Sequence, residues 1–210
     1  MAKKKDIQIG VLAVQGDVLE HVEMMDIVLA QNNCTIKTIK VKSPEQLDQL
    51  DGLIIPGGES TVMSRLIDET RFGKKLIDKI REKVKSGMAI FGTCAGTIML
   101  SKTSSDKVVK GFIQTLLELM DIEVLRNTYG RQQNSFERDL HVNALGNKPF
   151  RGVFIRAPVI LSAKNNVQIL AQDSDGIYAT QQNKLLAVTF HPELTDDTRF
   201  HEYFFKIITS

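Results

Sequence analysis

Cys94 stands in a sequence context typical of a reactive cysteine. It lies between two glycines in "FGTCAG", residues 91–96, where a strand-like apolar run ends. Glycines at this spacing are typical of a strained strand-to-helix turn, in which neighbouring chains pass too close for a Cβ. Such a turn exposes the thiol at a helix N-terminus, which favours the thiolate. A small buried cysteine in a tight turn stays open as the alternative, because free cysteines are commonly buried.

His191 and Glu193 form the second chemical group, in "FHPE" at the end of another apolar run. A residue before proline is pushed towards extended backbone, and residues two apart on extended backbone face the same side. Glu193 is therefore predicted to follow His191 into one cleft and to orient its ring for base catalysis. A structural histidine at a strand end is the alternative. With Cys94, the two residues form a candidate Cys-His-Glu triad.

The glycine pair in "IIPGGEST", residues 54–61, is the third candidate. Consecutive glycines between a strand and a helix leave backbone N–H groups free to face an anion or an oxyanion. An ordinary turn explains the glycines equally well, and Ser60 and Thr61 also fit a helix N-cap. The stretch lacks the G-x-x-x-x-G-K-[ST] pattern, so nucleotide binding is not supported.

The elements that must position these residues alternate between strands and helices in the first half. Apolar β-rich runs, as in "IQIGVLAVQG", suit strands buried on both faces, and a helix is predicted after Asp17 as N-cap. A longer helical region is predicted before "MAIFGTC", with a break near Gly73. We expect an α/β fold with a mostly parallel central sheet and helices on both faces. Residues 1–210 are predicted to form one domain.

The second half consists of short β-like pieces, which predict a smaller antiparallel element. "RGVFIRAPVIL" reads as one such piece, and "DSDG" and "QQNK" read as hairpin connections. "DDTRFHEYFFKII" predicts a closing amphipathic helix. Residues 101–115 give the weakest pattern of the chain.

Composition excludes several classes of protein. The 210 residues carry a net charge of +2, and the lysines of "MAKKK" read as a solvated tail, so no nucleic-acid partner is expected. No apolar segment is long enough for a membrane span, and no targeting signal precedes the first strand, which predicts a cytoplasmic protein. The two cysteines are expected to be reduced. Four scattered histidines and no Cys-x-x-Cys pattern predict no metal, and no cofactor is expected.

Taken together, these stretches resemble the class I, triad-type glutamine amidotransferases. The resemblance is strongest to one branch, the glutaminase subunits of pyridoxal 5'-phosphate synthase, and it runs nearly end to end. The blocks that carry it are "IGVLAVQGDVLEH", "DGLIIPGGESTVMSRL", "FGTCAGTIML", "RNTYGRQQNSFE", "FIRAP" and "FHPELTDD". The resemblance implies a flavodoxin-like three-layer fold.

The resemblance also implies roles for individual residues. The thiolate of Cys94 would attack the side-chain amide of L-glutamine and form a thioester, with His191 as base and Glu193 as its orienter. Backbone N–H groups of Ala95 and of the glycine loop at Gly58 would hold the oxyanion. The family's glutamine pocket corresponds to Gly58, Glu59, Ser60, Arg126, Ile155 and Arg156. Without the resemblance, the two arginines would read as solvated strand residues.

The implied partner is a TIM-barrel synthase subunit, which receives the ammonia to build pyridoxal phosphate. Docking of the synthase is expected to rearrange the loop at residues 56–58 and raise a weak glutaminase activity. Three other functions stay open. They are a glutaminase feeding a different synthase, a Cys-His hydrolase on a similar scaffold, and a scaffold subunit without turnover.

Overall fold

The structure is a computed structural model that describes residues 7–68, 70–111, 113–128 and 135–210. The "MAKKK" tail and the middle of the "RNTYGRQQNSFE" block, residues 129–134, lie outside the described residues. The strands are β1 (Ile9–Leu12), β2 (Ile39–Val41), β3 (Gly52–Ile55), β4 (Ala89–Thr93), β5 (Ser101–Asp106), β6 (Met120–Arg126), β7 (Ser135–Leu140), β8 (Phe150–Ile155), β9 (Val159–Ala163), β10 (Gln168–Asp173), β11 (Gly176–Gln182) and β12 (Leu185–Val188). The α-helices are α1 (Val18–Gln31), α2 (Ser60–Asp68), α3 (Arg71–Lys85), α4 (Ala95–Leu100) and α5 (Arg199–Thr209). Short 3-10 helices span Pro44–Gln49, Asn143–Leu145 and Pro192–Leu194.

One large mixed sheet organises the chain, in the order β2-β1-β3-β4-β12-β11-β9-β6-β5, with β10 paired to β11. The five strands from β2 to β12 run parallel to one another. Strands β7 and β8 form a separate antiparallel pair. The predicted α/β fold, with a mostly parallel central sheet and a smaller antiparallel element, is confirmed.

Helices cover both faces of the parallel strands, because alternate strand residues point to opposite sides. On one face Ile54 packs in a core with Met25 of α1 and Phe204 of α5. On the other face Ile55 packs in a core with Ile80 of α3 and with residues of α4 and the Pro44–Gln49 helix. Within the described parts of the chain, none of the helices is both long enough and apolar enough to cross a membrane.

Local structure differs from the sequence prediction in the long helical region. The helix break lies at Thr70 rather than near Gly73, because Thr70 caps α3 and its hydroxyl accepts the N–H of Gly73 at 2.9 Å. Gly73 therefore lies in the first turn of α3, where a glycine costs little.

The second half shows two further differences. "RGVFIRAPVIL" is not one piece, because it divides into β8, which pairs with β7, and β9, which pairs with β6 in the large sheet. The break falls at Arg156, whose φ of 45° turns the chain. The weakly patterned residues 101–115 contain strand β5, a largely polar sheet-edge strand that pairs with β6. Both predicted hairpin connections and the closing helix are present.

Candidate active site

Cys94 lies at a strained turn between β4 and α4. Its φ of 45° and ψ of −102° place a non-glycine residue in a rarely occupied backbone region. The flanking glycines are sterically required: a Cβ on Gly96 would lie 2.1 Å from the carbonyl oxygen of Ile55, and one on Gly92 would lie 2.8 Å from the backbone of Gly96. The strand-turn-helix arrangement therefore lies where the glycine pattern predicts it.

His191 reaches Cys94 because β12, which leads to His191, pairs in parallel with β4. Val188 is the register partner of Thr93, and the Cys94 N–H donates to the carbonyl oxygen of Val188 at 2.9 Å. Both residues thus follow the carboxyl ends of neighbouring strands. His191 is 4% exposed, and the Cys94 side chain is among the groups that raise the pKa of its ring.

Glu193 lies against His191, although the backbone is not extended as predicted. Pro192–Leu194 form a 3-10 turn, because proline suits the first position of a helical turn. The turn still brings Oε1 of Glu193 to 2.8 Å from Nδ1 of His191. Since Nδ1 is engaged in this way, Nε2 is the ring nitrogen left for the thiol of Cys94.

A second carboxylate, which the sequence reading missed, also contacts His191. Oδ2 of Asp17 lies 3.2 Å from Nδ1. Asp17 is the N-cap residue of α1 as predicted, but its side chain makes no cap hydrogen bond. The pattern of a polar residue before an amphipathic helix does not distinguish a capping side chain from one that turns towards a neighbouring loop.

The charge on the His191 ring is strongly favoured. Burial opposes protonation, but hydrogen bonds with Asp17, Cys94 and Glu193 outweigh it and raise the pKa of His191 to about 12. The hydrogen bond with His191 lowers the pKa of Asp17, against the effect of its burial. Burial raises the pKa of the Glu193 carboxyl, and the bond with His191 partly offsets this. The site is therefore arranged to hold a protonated His191 ring beside Cys94.

The glycine loop closes the other side of the site. Gly58 has φ of 142°, which an L-residue rarely adopts, and a Cβ on Gly57 would lie 2.4 Å from Cε1 of His191. Oε1 of Gln15 accepts the N–H of Glu59 at 2.8 Å and holds the loop against the segment after β1. Ala95 is the first residue of α4, so its N–H has no acceptor within the helix.

These groups meet at a cavity of about 250 Å³. Of the residues predicted from sequence, all except Glu193 line this cavity: Gly58, Glu59, Ser60, Cys94, Ala95, Arg126, Ile155, Arg156 and His191. Glu193 is buried behind His191 with a fully buried side chain. Gln15, Asp17 and Asn127 also line the cavity and were not singled out. Gln15 and Asp17 belong to "LAVQGD", whose residues read only as a strand end and a helix cap.

Arg126 differs from a solvated strand arginine because only 8% of it is exposed. Its guanidinium donates to Gln114 Oε1 at 3.0 Å and to Thr61 Oγ1 at 2.8 Å, and Oε1 of Glu59 lies 3.7 Å away. A partly desolvated guanidinium at a cavity wall suits recognition of a carboxylate.

One group of side chains has the composition of a metal site. Ligand-type atoms of Asp17, His191 and Glu193 lie within 4.8 Å of one another. All three already bind each other through the His191 ring, and a metal needs the neutral form of histidine. Because the pKa of His191 is raised to about 12, these three residues fit a protonated histidine between two carboxyl groups better than a metal centre.

Comparison with solved structures places this geometry among known folds. A crystal structure described as a glutamine amidotransferase matches with a TM-score of 0.82 and 42% identity, covering 96% of this chain and 99% of that one. The structure of PurLQS from Thermotoga maritima matches with a TM-score of 0.61 over 97% of this chain and 98% of that one. At 15% identity, that second likeness concerns the fold alone.

Sequence comparison gives the family. The model of the SNO glutamine amidotransferase family matches residues 11–210, and the chain belongs to this family. A protein of Thermotoga maritima named pyridoxal 5'-phosphate synthase subunit PdxT is 47% identical over 203 residues, 96% of this chain and 100% of that protein. A protein of the same name from Staphylothermus marinus is 45% identical, over 96% of this chain and 98% of its own length.

Proposed function

We propose that this chain hydrolyses L-glutamine to L-glutamate and ammonia as the glutaminase subunit of a pyridoxal 5'-phosphate synthase. The observation that carries the proposal is the 2.8 Å contact of His191 with Glu193, beside a strained Cys94, in a member of a glutamine amidotransferase family. The relatives named PdxT support the synthase assignment.

The chemistry begins with the thiolate of Cys94, which adds to the side-chain amide carbon of glutamine while the C=O electrons move to oxygen. The resulting oxyanion accepts hydrogen bonds from the N–H groups of Ala95 and Gly58. The His191 imidazolium donates a proton to the leaving nitrogen, and the C–N bond breaks to release ammonia. His191 then takes a proton from water as the water oxygen adds to the thioester carbon. The C–S bond breaks, glutamate is released, and the Cys94 thiolate is restored beside the His191 imidazolium. Glu193 holds the ring in one orientation throughout.

Specificity for glutamine comes from the cavity wall. Arg126 and Arg156 suit the substrate α-carboxylate, and Glu59 suits the α-ammonium group. Ser60 and Ile155 complete the pocket, where Ile155 presents an apolar side chain to the methylene groups of glutamine. A general Cys-His hydrolase does not require this pairing of opposite charges at one end of the cavity.

The ammonia passes to a TIM-barrel synthase subunit rather than to solvent. Docking of that subunit rearranges residues 56–58, so that a loop N–H completes the oxyanion hole. The positive φ of Gly58 supports this step, because glycine exchanges between backbone regions that other residues cannot occupy.

The test is ammonia release from glutamine by the chain with and without its synthase subunit. Wild type should be stimulated strongly by the synthase, and Cys94→Ala should be inactive in both conditions. Cys34→Ala is the matched control, because Cys34 is the second free cysteine and packs against the core beside α1. Full activity of Cys94→Ala would end the nucleophile assignment. Equal wild-type rates with and without synthase would refute the activation step alone.

A further inference from the structure

Two fully buried histidines lie behind the triad, on the side away from the cavity. His21 of α1 and His201 of α5 are both 0% exposed, and neither is among the described residues that line the cavity. Nδ1 of His21 lies 2.9 Å from Nε2 of His201. Nε2 of His21 lies 3.0 Å from Oγ1 of Thr93 and 3.3 Å from Oε2 of Glu193. The pair therefore extends the line of polar groups that begins at Cys94.

Both histidines are neutral at neutral pH. Burial lowers the pKa of His201 to about 3. Burial also holds the pKa of His21 well below its ordinary value, and electrostatic interaction with His201 and with the charged His191 adds to this effect. A neutral imidazole has one N–H donor and one acceptor nitrogen, so each ring must adopt one of two tautomers.

The contacts select the tautomers. Oε2 of Glu193 is buried, and the described residues give it no hydrogen bond of good geometry. Burial raises the pKa of Glu193, but the His191 imidazolium on its other oxygen favours the carboxylate form, which can only accept. If Nε2 of His21 were unprotonated, its lone pair would face that oxygen at 3.3 Å. Nε2 is therefore assigned the proton, which it donates to Thr93 at 3.0 Å while it faces Oε2 of Glu193 at 3.3 Å.

The same logic extends to His201. Because Nδ1 of His21 is then an acceptor, Nε2 of His201 must be the donor in their 2.9 Å contact. Nδ1 of His201 is left as an acceptor, and it has no hydrogen-bond partner among the described residues. A buried acceptor without a partner is less unusual than a buried N–H without one. The reverse tautomers would leave a buried N–H unpaired and place two lone pairs against each other.

We propose that His21 and His201 are positioning residues that hold Glu193 in its working orientation. This inference rests on the proposed function. The N–H of His21 faces the inner oxygen of Glu193 at 3.3 Å and favours its negative charge there, so that the outer oxygen faces Nδ1 of His191. His201 acts one step further back by fixing the tautomer of His21. The N–H groups of His21 and His191 thus both face Glu193, and the N–H of His201 donates to His21.

A packing role is the competing interpretation, because His21 and His201 both contact the edge or face of Phe91. Substitutions of similar size separate the two roles. His21→Gln retains an amide N–H near the position of Nε2, whereas His21→Met fills similar space without a donor. His201→Gln and His201→Met form the same matched pair one step back.

The experiment measures glutaminase kcat and KM of the four variants in complex with the synthase. In metal sites, loss of the hydrogen-bond partner behind a liganding histidine commonly reduces activity about tenfold to a hundredfold, and we take the same range for a partner behind Glu193. We expect His21→Met to lower kcat by about this factor, with the KM for glutamine little changed, and His201→Met to follow in the same direction. Both glutamine variants should retain kcat within about threefold of wild type. Equal losses in the Met and Gln variants, or no loss in either, would overturn the proposal.

A second measurement needs neither turnover nor a variant. Nitrogen-15 NMR of the imidazoles in the folded chain should find the proton on Nε2 of both His21 and His201. A proton on Nδ1 of His21 would overturn the proposal even if the Met variants fail to fold. If wild type releases no ammonia with its synthase, the proposed function fails. The NMR result still decides which ring nitrogens of His21 and His201 donate in the buried contacts.

Discussion

Gly57→Ala is a small change that should displace the His191 ring and lower the glutaminase rate. The added Cβ would lie 2.4 Å from Cε1 and 2.9 Å from Nδ1 of His191. An ordinary carbon–carbon contact is about 3.5 Å, so the ring or the loop must retreat by about 1 Å. The loop has little room, because the carbonyl oxygen of Gly57 lies 1.7 Å from where a Cβ on Gly16 would stand. We therefore expect the ring of His191 to move away from the added methyl group.

A displacement of about 1 Å in a catalytic group can cost about a hundredfold in rate, which equals about 2.7 kcal/mol. The assay is steady-state ammonia release from glutamine by the chain without its synthase subunit, where the loop has the conformation described above, together with the rate of Cys94 alkylation by iodoacetamide. Gly57 does not have positive φ, so alanine adds no backbone strain there and the variant should fold.

Gly87→Ala is the matched control. A Cβ there would meet no described atom within 4 Å, although the φ of 101° makes alanine unfavourable by about 1 kcal/mol. This control should lose stability and keep its activity. If Gly57→Ala keeps kcat within threefold of wild type at an unchanged melting temperature, the close contact of the loop with His191 does not position the ring.

Three further predictions concern individual charged or titratable side chains. Asp17→Asn removes a carboxylate 3.2 Å from the His191 ring and should lower the pKa of His191, seen by NMR titration; an unchanged titration would contradict the assigned contact. The pKa of His201 is lowered to about 3, so below about pH 6.5 the unfolded chain takes up a proton that the native chain does not, and stability is lost as pH falls. His201→Gln should therefore flatten the decline in unfolding free energy between pH 6 and 4 by about 1.4 kcal/mol per pH unit in urea titrations, and an unchanged decline would contradict a buried, neutral His201. Arg126→Lys cannot keep both guanidinium hydrogen bonds, to Gln114 and Thr61, and it cannot bind a carboxylate through two N–H groups in a planar fork. It should raise the KM for glutamine about tenfold or more, and an unchanged KM would remove Arg126 from the substrate site.

The elbow at Cys94 was predictable because its cause is local. Glycines at positions 92 and 96 exclude side chains that would meet Ile55 and the backbone of the next turn, and this requirement appears directly in the sequence. The buried strands that lead to it were predictable for a similar reason, since apolar β-rich runs have few other stable environments.

Other features depend on contacts that no local pattern contains. Asp17 has the sequence context of a helix cap, and only the proximity of the β12 loop turns it towards His191. Strand β5 was missed because its polar residues lie at a sheet edge, where burial does not select apolar side chains. The sequence pattern does not single out His21 or His201 within the predicted helices. Their contact joins two helices from opposite ends of the chain, so spacing could not indicate it.

The parallel pairing of β4 with β12 also has a consequence for how the protein becomes active. Thr93 and Val188 are register partners although they lie far apart in the sequence, and this pairing brings Cys94 and His191 together. A chain that ends before β12 would carry an elbow without its base. Such long-range parallel contacts form slowly, because a large loop must close before they stabilise the chain. During refolding, glutaminase activity should therefore return later than helical structure, so that it measures the completion of the sheet rather than its beginning.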